Sequence, residues 1–177
     1  MNNILFSKEE CEYIKSFWND FNSIDGSTRV QVQTEEGNTL SLRRNAKLNF
    51  LDLFNEELIY FVLSRLSKIG IKSILNNQVK ITKYIEGDFF GLHRDFKNTN
   101  KNGSSYKTLV IQLSESSDYI GGDLCVKNIP QSKEQGSYSL FLSSDIHEIK
   151  RIDSGVRFSL TIFLYEADFS STKNKLL

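Results

Sequence analysis

The sequence predicts a mainly β fold with N-terminal helices: a double-stranded β-helix, or jelly-roll, core flanked by helices on one face. Three observations lead there. Helical periodicity is confined to two stretches before residue 78, short strands fill the remainder, and turn residues punctuate those strands at close intervals.

The elements follow in order. Ser7-Lys8-Glu9-Glu10 has the form of a capping box, with Ser7 at the N-cap and Glu10 three residues on. Cys11, Ile14, Trp18 and Phe21 then recur at helical spacing, which predicts an amphipathic helix of about four turns. Arg29 to Gln33 and Thr39 to Leu42 alternate polar with apolar residues around Glu36-Gly37-Asn38, the pattern of a β-hairpin. From Leu51 to Ile69 the helical pattern returns, and it stops at Gly70, a suitable C-cap. Strands are expected over residues 78–86, 107–114, 122–127, 137–142 and 156–165. Turn signals separate them at Asn98 to Ser105, Gly121-Gly122, Asn128 to Gln135 and Asp153-Ser154-Gly155. No internal repeat is present. The expected organisation is one domain over 1–177: helices and hairpin in 1–77 support a jelly-roll core in 78–166, and polar residues 170–177 form a flexible tail.

Composition narrows the function classes. Apolar residues make up 39% of the chain and aromatics 12%, which suits an ordinary globule with a sizeable core. Lys+Arg and Asp+Glu balance at 22 each, so no global field favours nucleic acid or an anionic membrane, and neither is an expected partner. No apolar run could span a bilayer and no signal-peptide pattern opens the chain. Cys11 and Cys125 lie far apart without motif spacing, as expected of free thiols in a reducing cytoplasm.

The chain has two histidines, and both fall in one constellation. His93-Arg94-Asp95 places His93 and Asp95 on the same side of an extended segment, with Arg94 turned away. His147 follows the strand Tyr138 to Leu142 after Ser143-Ser144-Asp145. Two imidazoles and one carboxylate are the facial triad that holds Fe(II) and leaves further positions open for co-substrate and oxygen. His-x-Asp alone is a weak signal, and two unrelated histidines are its bland alternative. The downstream spacing and Arg157, ten residues after His147, make the pattern specific. Because Asp95 fills the place a halide would need, hydroxylation is the expected outcome.

The segment Arg157 to Leu164 alternates cleanly. Phe158, Leu160, Ile162 and Leu164 form an apolar face to pack on helices, leaving Arg157, Ser159, Thr161 and Phe163 to point into the barrel. An Arg aimed inward is costly unless paired. A bidentate contact with the distal carboxylate of 2-oxoglutarate would satisfy it, with the Thr161 hydroxyl assisting; an internal salt bridge is the structural alternative. The strand Thr108 to Leu113 splits in the same way. Leu109, Ile111 and Leu113 face the packed side, while Thr108, Val110 and Gln112 face the cavity, where Gln112 could bond co-substrate or substrate. Tyr84, at a strand end, can aim its phenol into the same pocket or serve only the core.

With these residues in view, the chain resembles the prolyl 4-hydroxylase-like branch of the Fe(II)/2-oxoglutarate dioxygenases. The resemblance rests on Tyr-x-x-Gly-x-x-Phe-x-x-His-x-Asp from 84 to 95, Gly121-Gly122-Asp123-Leu124, and His147 through Arg157 to Thr161. It implies His93, Asp95 and His147 as iron ligands, Arg157 as anchor of the distal carboxylate, and Tyr84 and Thr161 as pocket contacts. Many members carry Tyr where this chain has Gln112. The implied reaction uses Fe(II), 2-oxoglutarate and O2, with ascorbate as a reductant, and hydroxylates an unactivated C–H bond with formation of succinate and CO2. A small-molecule, amino-acid or peptide substrate, including a prolyl one, fits the resemblance.

Two other readings compete. A silent cupin-like sensor that binds metal or a small carboxylate has no need to keep both Asp95 and Arg157, and a non-oxidative metal-cupin enzyme such as an isomerase would not need Arg157. Residues 97–106, rich in Asn, Lys and Ser around Gly103, read equally as a solvated loop or as a lid over substrate. Arg43, Arg44 and Lys47 could bind an acidic substrate, though such clusters more often form a solvated face.

Overall fold

The computed structural model describes residues 3–19, 23–25, 28–34, 37–50, 56–74, 79–95 and 107–165. The chain runs through α1 (Lys8–Ser16), β1 (Ile24–Asp25), the hairpin β2 (Thr28–Thr34) and β3 (Gly37–Asn45), β4 (Lys47–Phe50) and α2 (Glu56–Leu66). The remaining strands are β5 (Val79–Ile85), β6 (Phe89–His93), β7 (Lys107–Gln112), β8 (Tyr119–Gly121), β9 (Leu124–Val126), β10 (Ile129–Pro130), β11 (Tyr138–Leu142), β12 (His147–Ile149) and β13 (Ile152–Leu164).

These strands form two antiparallel sheets. The larger has the order β1-β4-β5-β13-β7-β11, with β8 joining the first half of β13; the other has the order β10-β9-β12-β6-β3-β2. Side-chain alternation on the larger sheet creates two separate cores. Outward-facing Val79, Ile81, Leu109, Ile111, Leu160, Ile162 and Leu164 pack against Ile14 of α1 and Leu58, Val62 and Leu66 of α2. Inward-facing Tyr84 and Val110 join Leu124, Val126, Ile149 and Phe141 in the layer between the sheets. This is a jelly-roll with its helices on one face, as the alternation predicts.

The helices differ from expectation at their ends. Ser7 does cap α1, since its hydroxyl accepts from the Glu10 N–H while the Glu10 carboxylate accepts from the Ser7 N–H at 2.9 Å. However, α1 stops at Ser16, well short of four turns. The Phe17 N–H donates to the Ile14 carbonyl and the Trp18 N–H to the Lys15 carbonyl, and the Trp18 ring turns edge-on to Phe158 of the sheet, with ring centroids 5.6 Å apart. Packing of Trp18 on the sheet overrides the helical period; Phe21 lies outside the described residues. Helix α2 ends in a 3-10 turn, Ser67–Ile69, closed by Gly70 at φ 83°, the expected C-cap. Residues 51–55 and the proposed tail, 170–177, are outside the described residues. Arg65 of α2 ties the two helices together by donating from Nε to Glu10 Oε1 at 2.7 Å.

The hairpin β2–β3 forms in the expected place. Strands β1, β4, β6, β8, β10 and β12 carried no clear periodicity. All six are two to five residues long, and pairing partners rather than local pattern define them.

Candidate metal centre and co-substrate pocket

β6 ends on His93 and β12 begins on His147, and the two are register partners across the ladder. Their rings therefore lie side by side, with centroids 4.1 Å apart. Asp95 is brought back to them because its N–H donates to the Ser143 carbonyl at 2.9 Å, just beyond β11. The ligand atoms of His93, Asp95 and His147 all lie within 4.8 Å of one another.

The orientation of each group is set by its neighbours. Nδ1 of His93 is 2.8 Å from the Gly91 carbonyl, and Nδ1 of His147 is 2.9 Å from the Asp145 carbonyl. A carbonyl can only accept, so each Nδ1 carries a proton and Nε2 is left as the ligand atom of each ring. Those two Nε2 atoms stand 3.4 Å from Oδ1 and Oδ2 of Asp95. Each Nε2 faces a carboxylate oxygen, so the arrangement calls for a cation between them, a shared proton or a metal ion. The donor set therefore fits a divalent metal held by two imidazoles and one carboxylate.

A second layer supports the first. Thr108 donates to Asp95 Oδ2 at 2.6 Å and shares a 2.8 Å hydrogen bond with Ser143. Phe90 stacks on His93 at 3.4 Å between centroids, and Phe141 lies 4.7 Å from His147. Burial opposes ionisation of Asp95, but His147, His93 and Thr108 together outweigh it and hold the carboxyl well below the usual range. Burial pushes His93 down, against the pull of Asp95, so its imidazole is kept neutral as metal ligation requires. Arg94 points away and donates to the Ser144 carbonyl.

Deeper in the barrel, Arg157 is wholly buried, with 0% exposure. Its Nη1 is 3.3 Å from Ser159 Oγ and its guanidinium lies 5.4 Å from the centroid of the Tyr84 ring. Among the described residues, Nε and Nη2 have no hydrogen-bond partner, and neither do the two amide atoms of Gln112 or the hydroxyl of Tyr119. The ladders explain why these groups converge. Tyr84 is the register partner of Arg157, Gln112 of Ser159, and Tyr119 of Gly155, two residues before the arginine. A buried cation beside several unpartnered polar atoms is a cradle for an anion of matching shape, and a carboxylate supplies the acceptors that Arg157 lacks. Burial pushes the Tyr84 phenol up to about 12 despite Arg157 nearby, so it stays protonated and can donate. Tyr119 is raised by the same cause.

Residues 79–165 match the 2OG-Fe(II) oxygenase superfamily. That segment contains every residue of the metal centre and arginine cradle just described. It belongs to this superfamily. The family's reaction takes Fe(II), 2-oxoglutarate and O2, and the donor set and the arginine cradle fit the first two of these.

Two relatives extend the likeness beyond the core. The chain is 25% identical to a PKHD-type hydroxylase of Prochlorococcus marinus over 153 residues, covering 81% of this chain and 64% of that one. It is 31% identical to a PKHD-type hydroxylase of Synechococcus over 105 residues, covering 57% and 46%. The chain thus spans less than two thirds of the length of these curated relatives. Among solved structures, a prolyl hydroxylase from Trichoplax adhaerens superimposes with a TM-score of 0.58 over 98% of this chain and 86% of the other, at 16% identity. At that identity the likeness establishes the jelly-roll fold.

The sequence-predicted residues fall into two groups in space. His93, Asp95 and His147 converge, with Tyr84 and Thr161 lining the same pocket. Arg157 and Gln112 are buried and do not line it, but they are register partners of Tyr84 and Ser159, which do. Residues 97–106 are outside the described residues. Of the basic cluster, Lys47 is exposed, whereas Arg44 lines the pocket, 4.9 Å above the Phe90 ring.

Sequence reasoning missed Lys80 and Tyr119. Lys80 sits two positions before Thr82 and four before Tyr84, so the same alternation that turns Tyr84 inward could have found it. Burial pushes its ammonium down to about 8, opposed by Asp95 and reinforced by Arg44. Tyr119 had no local signal; only the pairing of β8 with β13 brings it to the arginine.

Proposed function

We propose that this chain is an Fe(II)- and 2-oxoglutarate-dependent hydroxylase of an amino-acid or peptidyl substrate, including a prolyl one. The observation that carries this is the pairing of two incomplete sites in one barrel: three ligand atoms within 4.8 Å of one another, and a buried arginine with two unpartnered nitrogens. Family membership and the hydroxylase relatives support the same reading. When bound, iron and 2-oxoglutarate supply the oxidising chemistry that hydroxylates a C–H bond with release of succinate and CO2.

The chain's own residues bind, orient and shield. His93, Asp95 and His147 would hold iron on one face, with Thr108 fixing the carboxylate and the Gly91 and Asp145 carbonyls fixing the rings. Arg157 would anchor the distal carboxylate of 2-oxoglutarate, with Tyr84, Thr161 and Gln112 as further contacts. Gln112 offers a donor and an acceptor where a tyrosine would offer one hydroxyl. Phe90, Leu124 and Ile149 line the pocket with apolar surface that excludes water. In this proposal residues 78–166 carry the chemistry and those before 78 brace the sheet. We also place the reaction in the cytoplasm, in keeping with the free, buried Cys11 and Cys125. No described helix is long and apolar enough to cross a membrane.

The test is succinate release from 2-oxoglutarate in the presence of Fe(II) and ascorbate. The reading predicts slow release without a primary substrate. A protein that binds iron but neither binds nor turns over 2-oxoglutarate would instead be the cupin-like sensor or a non-oxidative metal enzyme.

A further inference from the structure

The pocket contains a cation that the proposed reaction does not use. Lys80 is half-buried, on the strand position that pairs with Thr161, and lines the same pocket as His93, Asp95 and His147. Its ammonium rests 4.7 Å above the Phe163 ring. Among the described residues it meets no carboxylate within ion-pair distance. Arg44 enters the same pocket from the other sheet and lies over Phe90, which in turn stacks on His93.

A charge count of the loaded site isolates Lys80. Iron, Asp95, the two carboxylates of 2-oxoglutarate and Arg157 together sum to zero. Lys80 then adds one positive charge that no described carboxylate meets, in a pocket that Arg44 also lines. Partial burial of a cation is unfavourable, and a strand position lined by Thr82, Tyr84 and Phe163 does not by itself call for one. A substrate anion entering beside the metal would supply the missing charge.

From this geometry we infer that the primary substrate carries a carboxylate, which docks on Lys80 with Arg44 beside it and so sets the reacting carbon over the metal. The inference rests on the proposed function and names the substrate class of that same site. The carboxylate can be the terminal group of a free or C-terminal amino acid or the side chain of Asp or Glu.

The experiment uses paramagnetic broadening of proton NMR lines by the protein loaded anaerobically with Mn(II) and 2-oxoglutarate. The probes are free l-amino acids, N-acetyl amino acids, their matched terminal amides, and the terminal amides of N-acetyl-Asp and N-acetyl-Glu. Among these, at least one acid is expected to broaden at concentrations about tenfold or more below its amide, the factor that one charge-assisted contact supplies. If only the Asp or Glu side chain suffices, the source is a side chain; if the terminal acids are required, it is a free carboxylate. Lys80→Met should reduce the acid to the level of its amide, Lys80→Arg should retain the preference, and Arg44→Gln should weaken it. Acids and amides that broaden alike, no acid that broadens, or a Lys80→Met protein indistinguishable from wild type would overturn the inference. Broadening of 2-oxoglutarate itself is the internal control. If it is present, a negative result removes the carboxylate proposal alone; if it is absent, the proposed function falls with it.

Discussion

Replacing Arg157 separates the co-substrate anchor from a structural ion pair. The guanidinium is fully buried; among the described residues Nη1 has a 3.3 Å contact to Ser159, and Nε and Nη2 have no hydrogen-bond partner. If it binds a carboxylate bidentately, Arg157→Ala removes the contact and leaves that carboxylate buried without a counter-charge. Truncating one partner of such a pair costs about 2–5 kcal/mol, which corresponds to a rise of roughly 30-fold to several thousandfold in the 2-oxoglutarate requirement. Metal binding should stay nearly intact, because no ligand atom of His93, Asp95 or His147 bonds to Arg157. Arg157→Lys should recover part of the loss, since a point charge cannot reproduce the fork. Thr161→Val should cost less, about 1 kcal/mol, for one neutral hydroxyl.

The assay is an anaerobic titration of 2-oxoglutarate into Fe(II)-loaded protein, followed by the visible charge-transfer band. Thermal unfolding of the metal-free protein gives an independent readout. An unpaired buried charge destabilises the fold, so Arg157→Met should leave the melting temperature unchanged or raise it. Breaking a structural ion pair would lower stability by about 3–5 kcal/mol. Unchanged 2-oxoglutarate affinity in Arg157→Ala, or a clear drop in the stability of Arg157→Met, would refute the anchoring role.

Three further outcomes are expected. His93→Ala or Asp95→Ala should abolish the charge-transfer band, and full iron affinity in the double variant His93→Ala/His147→Ala, measured by calorimetry, would show the wrong site had been assigned. The Lys80 ammonium titrates at about 8 in the fold against an ordinary 10.5, so the unfolded chain holds the extra proton between those values and stability contributed by this group rises with pH. The metal-free protein should therefore gain up to about 3 kcal/mol relative to Lys80→Met between pH 8 and 10.5, read from paired denaturant curves; a constant difference would sink that assignment. Gly155 has φ +82°, and a Cβ there would stand 2.1 Å from the Asp118 carbonyl, so Gly155→Ala should destabilise the protein by more than 1 kcal/mol in urea melts, and wild-type stability would show that β8 does not close on β13 as described.

What could be read from the sequence was whatever repeats locally. The larger sheet has one helix-facing side, so β5, β7 and β13 carry a period-two pattern that turns Leu160 outward and Arg157 inward. Two histidines in the whole chain left little ambiguity over which could share a metal. β6 and β12 were less legible, because their pairing joins His93 to His147 across a long stretch of chain. Similarly, Tyr119 reaches the arginine only through pairing of β8 with β13, and α1 ends early because Trp18 finds Phe158 on the sheet. Lys80 was legible and overlooked: it follows the same alternation as Tyr84, but a lysine in a strand reads first as a solvated charge.

The two faces of β13 explain how the fold can keep an arginine without a protein carboxylate in its interior. Leu160, Ile162 and Leu164 are all fully buried against the helices, and β5 and β7 flank the strand on either side. At about 25 cal/mol per Å² of apolar surface, burying three such side chains stabilises this strand by several kcal/mol, enough to offset an unsatisfied guanidinium on its other face. The backbone at Arg157 is thereby held in register with Tyr84 and close to Gln112 before any ligand arrives. A preorganised cation of this kind favours binding because little ordering is left to do when the carboxylate enters. The proposed metal ligands follow the same logic from the opposite sheet, where the ladder between β6 and β12 fixes both imidazoles and leaves Asp95 to be set by Ser143 and Thr108. In the proposed function, the helices before residue 78 thus act on the chemistry through the rigidity they give to β5, β7 and β13.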